Sequence, residues 1–376
     1  MGDPPKEGHR VFVANVRSEV MKYRMRKSIL HGLFVAMLVF CCSGPGFAVV
    51  LHPDGEPNLA TWTDRPDSNV VGRWSSNASF VVIAPNWVLT TRHQKTVPAT
   101  VKIDGVSYTC HYNAEWMGGP LGNADIQLVR LTTADGGNPE LAHYAGPYTG
   151  ADEAGQPAVL AGYGDGRGGL LQTDGATYGY DWANSTNTTL RFGTNRIDQT
   201  ENGSAIGTLI SDIIVADFDG LNEGQSAVYE STLAWHDSGG GWFIYDGAEW
   251  KVAGLSRAVG VHYEAGHEGD PNYILYQAWF RNRTYPEILE PDYLDGVRVS
   301  SYATWILEII NVQADLTGDD WVDFDDVAVF AAYWLSSDCG EPNNWCEGAD
   351  FEPRDGCVDY HDLGFLLDRW LTGWQY

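Results

Sequence analysis

Three side chains in this sequence are of the types that together break acyl bonds. Ser238 stands in "AWHDSGGGWF", Ala234 to Phe243, where an acid and a serine precede three glycines. A serine hydroxyl becomes a nucleophile beside a base that takes its proton, a group that orients the base, and donors aimed at the developing oxyanion. His93, after the apolar run of "APNWVLTTRHQ", is the candidate base, and Asp125, at the head of "NADIQLVRL", the candidate orienting acid. Taken singly each has a plainer reading: glycines serve any tight turn, a lone histidine is often structural, and an aspartate often caps a strand.

A second chemistry is written near the C-terminus. In "DLTGDDWVDFDD" oxygen-bearing side chains fall at positions 1, 3, 5, 9 and 12, namely Asp315, Thr317, Asp319, Asp323 and Asp326, with the Trp321 carbonyl at position 7. Ca2+ takes about six to eight oxygens from a chain folded tightly around it, and this is the spacing of a calcium loop. Asp stands at position 12 in place of the usual Glu, and Asp320 stands where Gly eases the turn. The second copy, "DFEPRDGCVDYHD", is one residue longer. Asp355, Gly356, Asp359 and Asp362 keep the register, while Asp350 and Glu352 reach in from a bulged start. A solvated acidic turn capping its helix is the alternative for either loop, and two in-phase copies weigh against it.

These groups need elements to hold them. "VDFDDVAVFAAYWL" (322–335) and "VDYHDLGFLLDRWL" (358–371) align at an offset of 36, so the tail is a duplicated loop–helix unit. Val327, Phe330, Ala331, Trp334 and Leu335, and in the second copy Leu363, Leu366, Leu367, Trp370 and Leu371, follow the spacing of an amphipathic helix. From Val49 to Ile310 the pattern is different. Short runs such as "SFVVIAPNWVLTT", "AVLAGYG", "DIIVADF" and "WKVAGLS" are strand-like and broken by Gly, Asn, Asp and Pro. A β-barrel or sandwich closed by one helix, "VSSYATWILEII", is expected.

Composition bounds the partners. With 376 residues the chain has room for two or three domains, and 50 acids against 23 bases give a net charge of −27. Such a charge repels nucleic acid and anionic membranes, and suits hard cations. At the N-terminus the basic "MKYRMRKS" from Met21, the apolar "ILHGLFVAMLVFCC" and the small residues Gly46 and Ala48 read as a signal peptide cleaved after Ala48. An uncleaved anchor helix, or lipidation at Cys41, are the alternatives. The expected divisions are 1–48 (extension and signal), 49–312 (β body) and 313–376 (calcium tail), in an exported protein. The mature chain keeps Cys110, Cys339, Cys346 and Cys357; Cys339 and Cys346 are spaced to close a short loop, without spacing alone proving it.

The order His93, Asp125, Ser238, with the apolar run ending in threonine before the histidine, the Asp-Ile-x-Leu strand and the Asp-Ser-Gly-Gly loop, resembles the chymotrypsin family of serine proteases over about residues 60–310. The resemblance implies a double β-barrel with a C-terminal helix and a His93–Asp125–Ser238 triad with no cofactor. It also implies an oxyanion hole made by the His236 and Ser238 amides, although the family usually has Gly where His236 stands. Gly239 would leave room for the substrate backbone, Ser256 would line the cleft, and Thr232, six before the serine, would stand at the base of the specificity pocket. Arg257 is a weak hint of a preference for acidic groups, its plainer reading being a surface ion pair. In this family a freed N-terminus pairs with the acid before the serine, here Asp237; a chain beginning at Val49 would offer one, and internal retention of Asp237 is the alternative.

Residues 313–371 resemble a dockerin module, a small α pair of calcium loop–helix repeats that binds cohesin domains. Phe324–Asp325 and Tyr360–His361 depart from that family's recognition positions, which puts a cohesin partner in doubt and leaves another surface protein as the alternative. The combined expectation is an exported serine endopeptidase acting on a protein or peptide. An inactive protease-fold adaptor and an esterase using the same triad are the rival readings.

Overall fold

The strand-like runs form strands because their side chains alternate between two cores. In Ala78–Ala84, buried throughout, Phe80 and Val82 join Trp74, Val88, Val129 and Leu131 in one cluster. Val81 and Ile83, pointing the other way, join Leu89, Leu128, Phe243 and Leu255 in a central one. Fully buried strands read as continuous apolar runs, which is why the sequence shows so little alternation here.

The structure is a computed structural model describing residues 49–52, 57–94, 96–136, 139, 141–183, 187–221, 223, 226–281, 291–311, 314, 316–317, 322–351 and 355–370. The expected signal peptide and extension over 1–48 lie outside the described residues, as do Asp315, Asp319, Trp321 and Glu352. No helix among the described residues is long and apolar enough to cross a membrane.

Two antiparallel sheets dominate. The first has six strands in the order Val71–Trp74, Ala78–Ala84, Trp87–Thr90, Gln127–Thr132, Val106–His111, Thr100–Ile103. Its two edge strands touch, which rolls it toward a barrel. The second has seven, in the order Arg191–Arg196, Pro157–Gly162, Gly241–Tyr245, Trp250–Val259, Tyr293–Arg298, Leu209–Asp217, Gln199–Ile206. Inside it Leu160, Ile214, Trp242, Ile244 and Leu294 pack together. A 3-10 turn, Val299–Tyr302, leads into the helix Ala303–Asn311, whose Trp305, Ile306 and Ile310 complete the central core. The buried Glu153 holds the entry to this turn, accepting from Arg298 at 2.9 and 2.7 Å and from the Ser300 hydroxyl. This mainly β architecture with barrel-like sheets is consistent with a chymotrypsin-like fold.

The tail has a core of its own, from Val322, Phe330, Cys339, Cys346, Phe351, Val358 and Leu366. Cys339 and Cys346 are joined by a disulfide, and Cys110 and Cys357 are free thiols. The helices Phe324–Ala332 and Tyr360–Asp368 begin with matching capping boxes: Asp323 with Asp326, and Asp359 with Asp362. Each helix is shorter than its apolar pattern. Leu335, expected on the buried face, is 67% exposed with φ +65°, because the chain leaves the helix at Tyr333.

One buried acid gives the body a pH dependence. The Glu230 carboxylate accepts the amides of Ala227 and Asp219 at 2.6 and 3.3 Å, and burial pushes it from 4.5 to about 9. A carboxylate raised on folding keeps its proton in the native state where the unfolded chain has lost it. The stability it contributes therefore falls as pH rises from about 4.5 to about 9. Glu230→Gln is expected to flatten this fall, by up to about 1.4 kcal/mol per pH unit, and to raise the melting temperature at pH 8 relative to the parent. Parallel stability–pH curves for parent and variant would contradict it.

Candidate active site

Each of the three chemistry-bearing residues sits where a strand gives way to a turn. His93 lies in the turn Arg92–Gln94 after Trp87–Thr90, Asp125 just ahead of Gln127–Thr132, and Ser238 in the turn before Gly241–Tyr245. The first two belong to the six-stranded sheet and the third to the seven-stranded one. His93 Nδ1 is 2.6 Å from Asp125 Oδ2, the His93 amide donates to Asp125 Oδ1 at 2.7 Å, and His93 Nε2 is 2.8 Å from Ser238 Oγ. Asp125 is wholly buried, so its two oxygens fix both the backbone and the ring of His93. With Nδ1–H donating to the carboxylate, Nε2 is free to accept from the serine hydroxyl. Gln94 brings its amide within 2.9 Å of the same nitrogen.

The turn around Ser238 aims main-chain donors. Among the described residues neither the His236 nor the Ser238 amide has a protein acceptor. His236 holds φ +74°, a conformation that costs a non-glycine residue about 1–3 kcal/mol. Its Nδ1 lies 3.4 Å from the buried Asp165, whose amide donates to the Trp235 carbonyl. Thus the loop that carries Asp165 braces the backbone of the strained stretch through its bond to Trp235.

Gly239 and Ser256 also hold the fold together. A Cβ on Gly239, at φ +80°, would lie 2.2 Å from Thr90 Oγ1 and 2.3 Å from the Ser79 carbonyl oxygen. The glycine is therefore required by contact with the other sheet rather than by room for a substrate. The Ser79 amide donates to the Ser238 carbonyl, the Gly239 amide to the Ser256 carbonyl and the Ser256 amide to the Gly240 carbonyl, each at 2.8 Å. Ser256 Oγ accepts from Trp242 Nε1 at 3.2 Å, so this buried residue braces the nucleophile turn.

Arg257 also needs correction. It is buried, its Nε and an NH2 group donate to Asp295 at 2.6 and 3.1 Å, and its remaining bonds go to Ser204. A guanidinium spent on a buried carboxylate is neither a surface ion pair nor a free substrate contact. Thr232 is buried opposite Val50 in a two-stranded pairing, and its hydroxyl has no partner among the described residues. Asp237 is held internally by the Gly164 and Ala234 amides at 2.8 and 2.9 Å. Burial pushes it up to about 6, opposed by those amides, by the Arg191 charge and by the Val49 amide.

In the tail, Thr317, Asp323, Asp326, Asp350, Asp355, Asp359 and Asp362 are described. Asp326 accepts the amides of Leu316, Thr317 and Asp323, and Asp362 those of Phe351 and Asp359. Among the described residues no three acidic, imidazole or thiol groups converge as a metal cluster. The chemistry of the set nevertheless suits a hard cation: its side chains offer only oxygen, and Asp326, Asp350 and Asp362 are buried.

Neither a protein-family model nor a curated protein matches the chain. Among solved structures it is similar to neuropsin, described as a serine protease expressed in the limbic system of mouse brain, at 16% identity and a TM-score of 0.40, over 65% of this chain and 96% of that one. So distant a likeness carries no argument about the chemistry.

Sequence reasoning missed Asp165, Gln94 and Ser211, whose Oγ accepts the Asp125 amide at 2.8 Å. Gln94 was visible as the neighbour of His93; nothing local marked Ser211, which lies in another strand. Gly239→Ala should cost about 2–4 kcal/mol, because backbone and a buried hydroxyl stand where the methyl must go. A urea midpoint unchanged from the parent would show that the seam between the sheets yields.

Proposed function

We propose that the protein is a serine-type endopeptidase carrying a calcium-binding dockerin-like tail. The observation that carries the reading is the continuous contact from Asp125 through His93 to Ser238, at 2.6 and 2.8 Å. Ser238 Oγ would attack the peptide carbonyl carbon as its proton passes to His93 Nε2. The oxyanion so formed would accept from the His236 and Ser238 amides, and Asp125 would steady the imidazolium. Collapse breaks the C–N bond as the same proton goes to the leaving amine, giving an acyl-serine. Water, deprotonated by His93, then releases the acid and restores the hydroxyl. Thr232, the residue the resemblance sets at the pocket base, would bring no charge there.

Export as a secreted, periplasmic or surface protein is part of this reading. Cleavage after Ala48 would turn the Val49 amide beside Asp237 into an ammonium, giving a buried carboxylate a charged partner.

A fluorophosphonate probe is expected to label the folded chain on Ser238, with loss of fluoride. His93→Ala is expected to slow labelling at least about a hundredfold. No adduct on correctly folded protein would favour the adaptor, and turnover of simple esters without peptides would favour the esterase.

In the tail Asp315, Thr317, Asp319, the Trp321 carbonyl, Asp323 and Asp326 would hold one Ca2+, and Asp350, Glu352, Asp355, Asp359 and Asp362 a second. The cation would neutralise buried carboxylates and tie each loop to its helix, leaving the helices to meet a cohesin-like or other surface protein. Calcium at a hundred times its Kd should add about 2.7 kcal/mol to the tail's stability, seen as a lower melting transition in EGTA that calcium restores. A melt insensitive to EGTA would remove the calcium reading.

A further inference from the structure

A cavity of about 480 Å3 is lined in part by Arg73, Lys102, Asp104, Tyr163, Leu190 and Phe192. Its volume suits a side chain or small ligand, and its walls combine apolar rings with charge. Two cations here are unusual for the chain, which has 50 acids to 23 bases. Three other arginines are met by acids, Arg257 by Asp295, Arg298 by Glu153 and Arg281 by Glu223, whereas Arg92 donates to the Gly122 carbonyl and Arg65 to the Pro66 carbonyl and the Ser68 hydroxyl. Arg73 and Lys102 have no ion pair among the described residues. Arg73 donates only to the Ser76 carbonyl, at 3.2 Å, and its Nε–H is buried with no protein acceptor among the described residues. Asp104, at the exposed hairpin tip, is the one acid in the lining, so cations prevail two to one.

The cavity is tied to the nucleophile by a short chain of bonds. Arg73 pairs in register with Ser79, whose amide donates to the Ser238 carbonyl. Ser79 Oγ accepts the Tyr163 amide at 2.9 Å, and Tyr163 is both in the cavity wall and close enough to feel the Arg73 charge. Two residues further on, Asp165 meets His236. Two strand spacings, about 10 Å, separate the cavity from Ser238, a reach of about two or three extended residues.

We propose that this cavity binds the carboxylate side chain of an acidic residue two or three positions from the cleaved bond, with Arg73 and Lys102 as its charge partners. The inference rests on the endopeptidase reading for its place in the substrate, and deepens it by naming a substrate class. Tyr163, Leu190 and Phe192 cover the stem of the bound side chain, and desolvation at the Arg73 Nε strengthens the bond it makes. Asp104 opposes the carboxylate and sharpens its placement.

The test uses the full chain. Peptides identical except for Glu, Gln or Lys at the second or third residue on either side of the cut are compared for kcat/KM, and for Kd on Ser238→Ala by fluorescence anisotropy. Glu is expected to exceed Gln by about tenfold at one of these positions, in KM and Kd rather than kcat, and the margin should shrink between about 50 and 300 mM salt. Arg73→Gln with Lys102→Gln should erase the margin, Lys102→Glu should reverse it toward Lys, and Asp104→Asn should widen it. All three should leave fluorophosphonate labelling of Ser238 at the parent rate, since none touches the triad. Equal use of Glu and Gln by an enzyme that cleaves peptides, or a margin surviving the double variant, overturns this inference and leaves the endopeptidase reading standing. A chain that takes no fluorophosphonate yet binds the Glu peptide selectively through Arg73 and Lys102 does the reverse.

Discussion

Everything at the site depends on a seam so close that one position in it must be glycine. The turn around Ser238 is held by the Ser79 amide from the six-stranded sheet and by the Ser256 carbonyl and amide from the seven-stranded one. At Gly239 the two sheets leave no space for a Cβ, because the Thr90 hydroxyl, bonded at 2.7 Å to the Ser79 carbonyl, fills it. A turn fixed at both ends by main-chain bonds can hold a residue in an unfavourable conformation. That is the position of His236, whose φ of +74° would otherwise relax and turn its amide away from its present direction. The same seam brings His93 to Ser238, since the two sit on opposite sheets. Positioning and packing are therefore one property here.

A chain so rich in acids must also decide which of them to bury and how. Glu153 and Asp295 are each met by an arginine in two-bonded geometry, Asp237 by main-chain amides, and Glu230 by amides alone with its charge disfavoured. Burying an ion with a forked partner is roughly neutral to stability, and removing one partner is costly. Arginines committed in this way are not available to a substrate. Against that background the two cations left facing the cavity by Tyr163 gain meaning, because a protein short of bases has not used these to neutralise itself.

How much of this was legible beforehand follows from the range of the contacts. Runs such as "SFVVIAPNWVLTT" specify strands locally, and the triad's members could be picked out because each lies at the boundary of such a run. Their meeting could be expected only from resemblance, since the separation from His93 to Ser238 is 145 residues. What stayed hidden has one cause. Gly239, Ser256 and Arg257 were read toward a substrate from their neighbours in sequence. Their contacts within the protein lie with Thr90, Gly240 and Asp295, chosen by pairing between strands that no local pattern encodes.

The tail makes the same point in miniature. Its apolar spacing continues helix-like through Leu335, yet the helix stops at Ala332. Beyond it the Leu335 amide donates to the Val358 carbonyl and the Val358 amide to the Ser336 carbonyl, both at 2.9 Å, so the end of the first repeat pairs with the start of the second. A single loop–helix unit cannot enclose an apolar face, whereas two joined by this short ladder, with the Cys339–Cys346 bridge closing a loop in the spacer between them, surround Phe330, Phe351 and Leu366. The ladder takes the residues that would have formed the next helical turn, and Leu335, its backbone committed to Val358, is left facing solvent. The exposed leucine is therefore a consequence of joining the repeats, and the duplication visible in the sequence is what requires the joint.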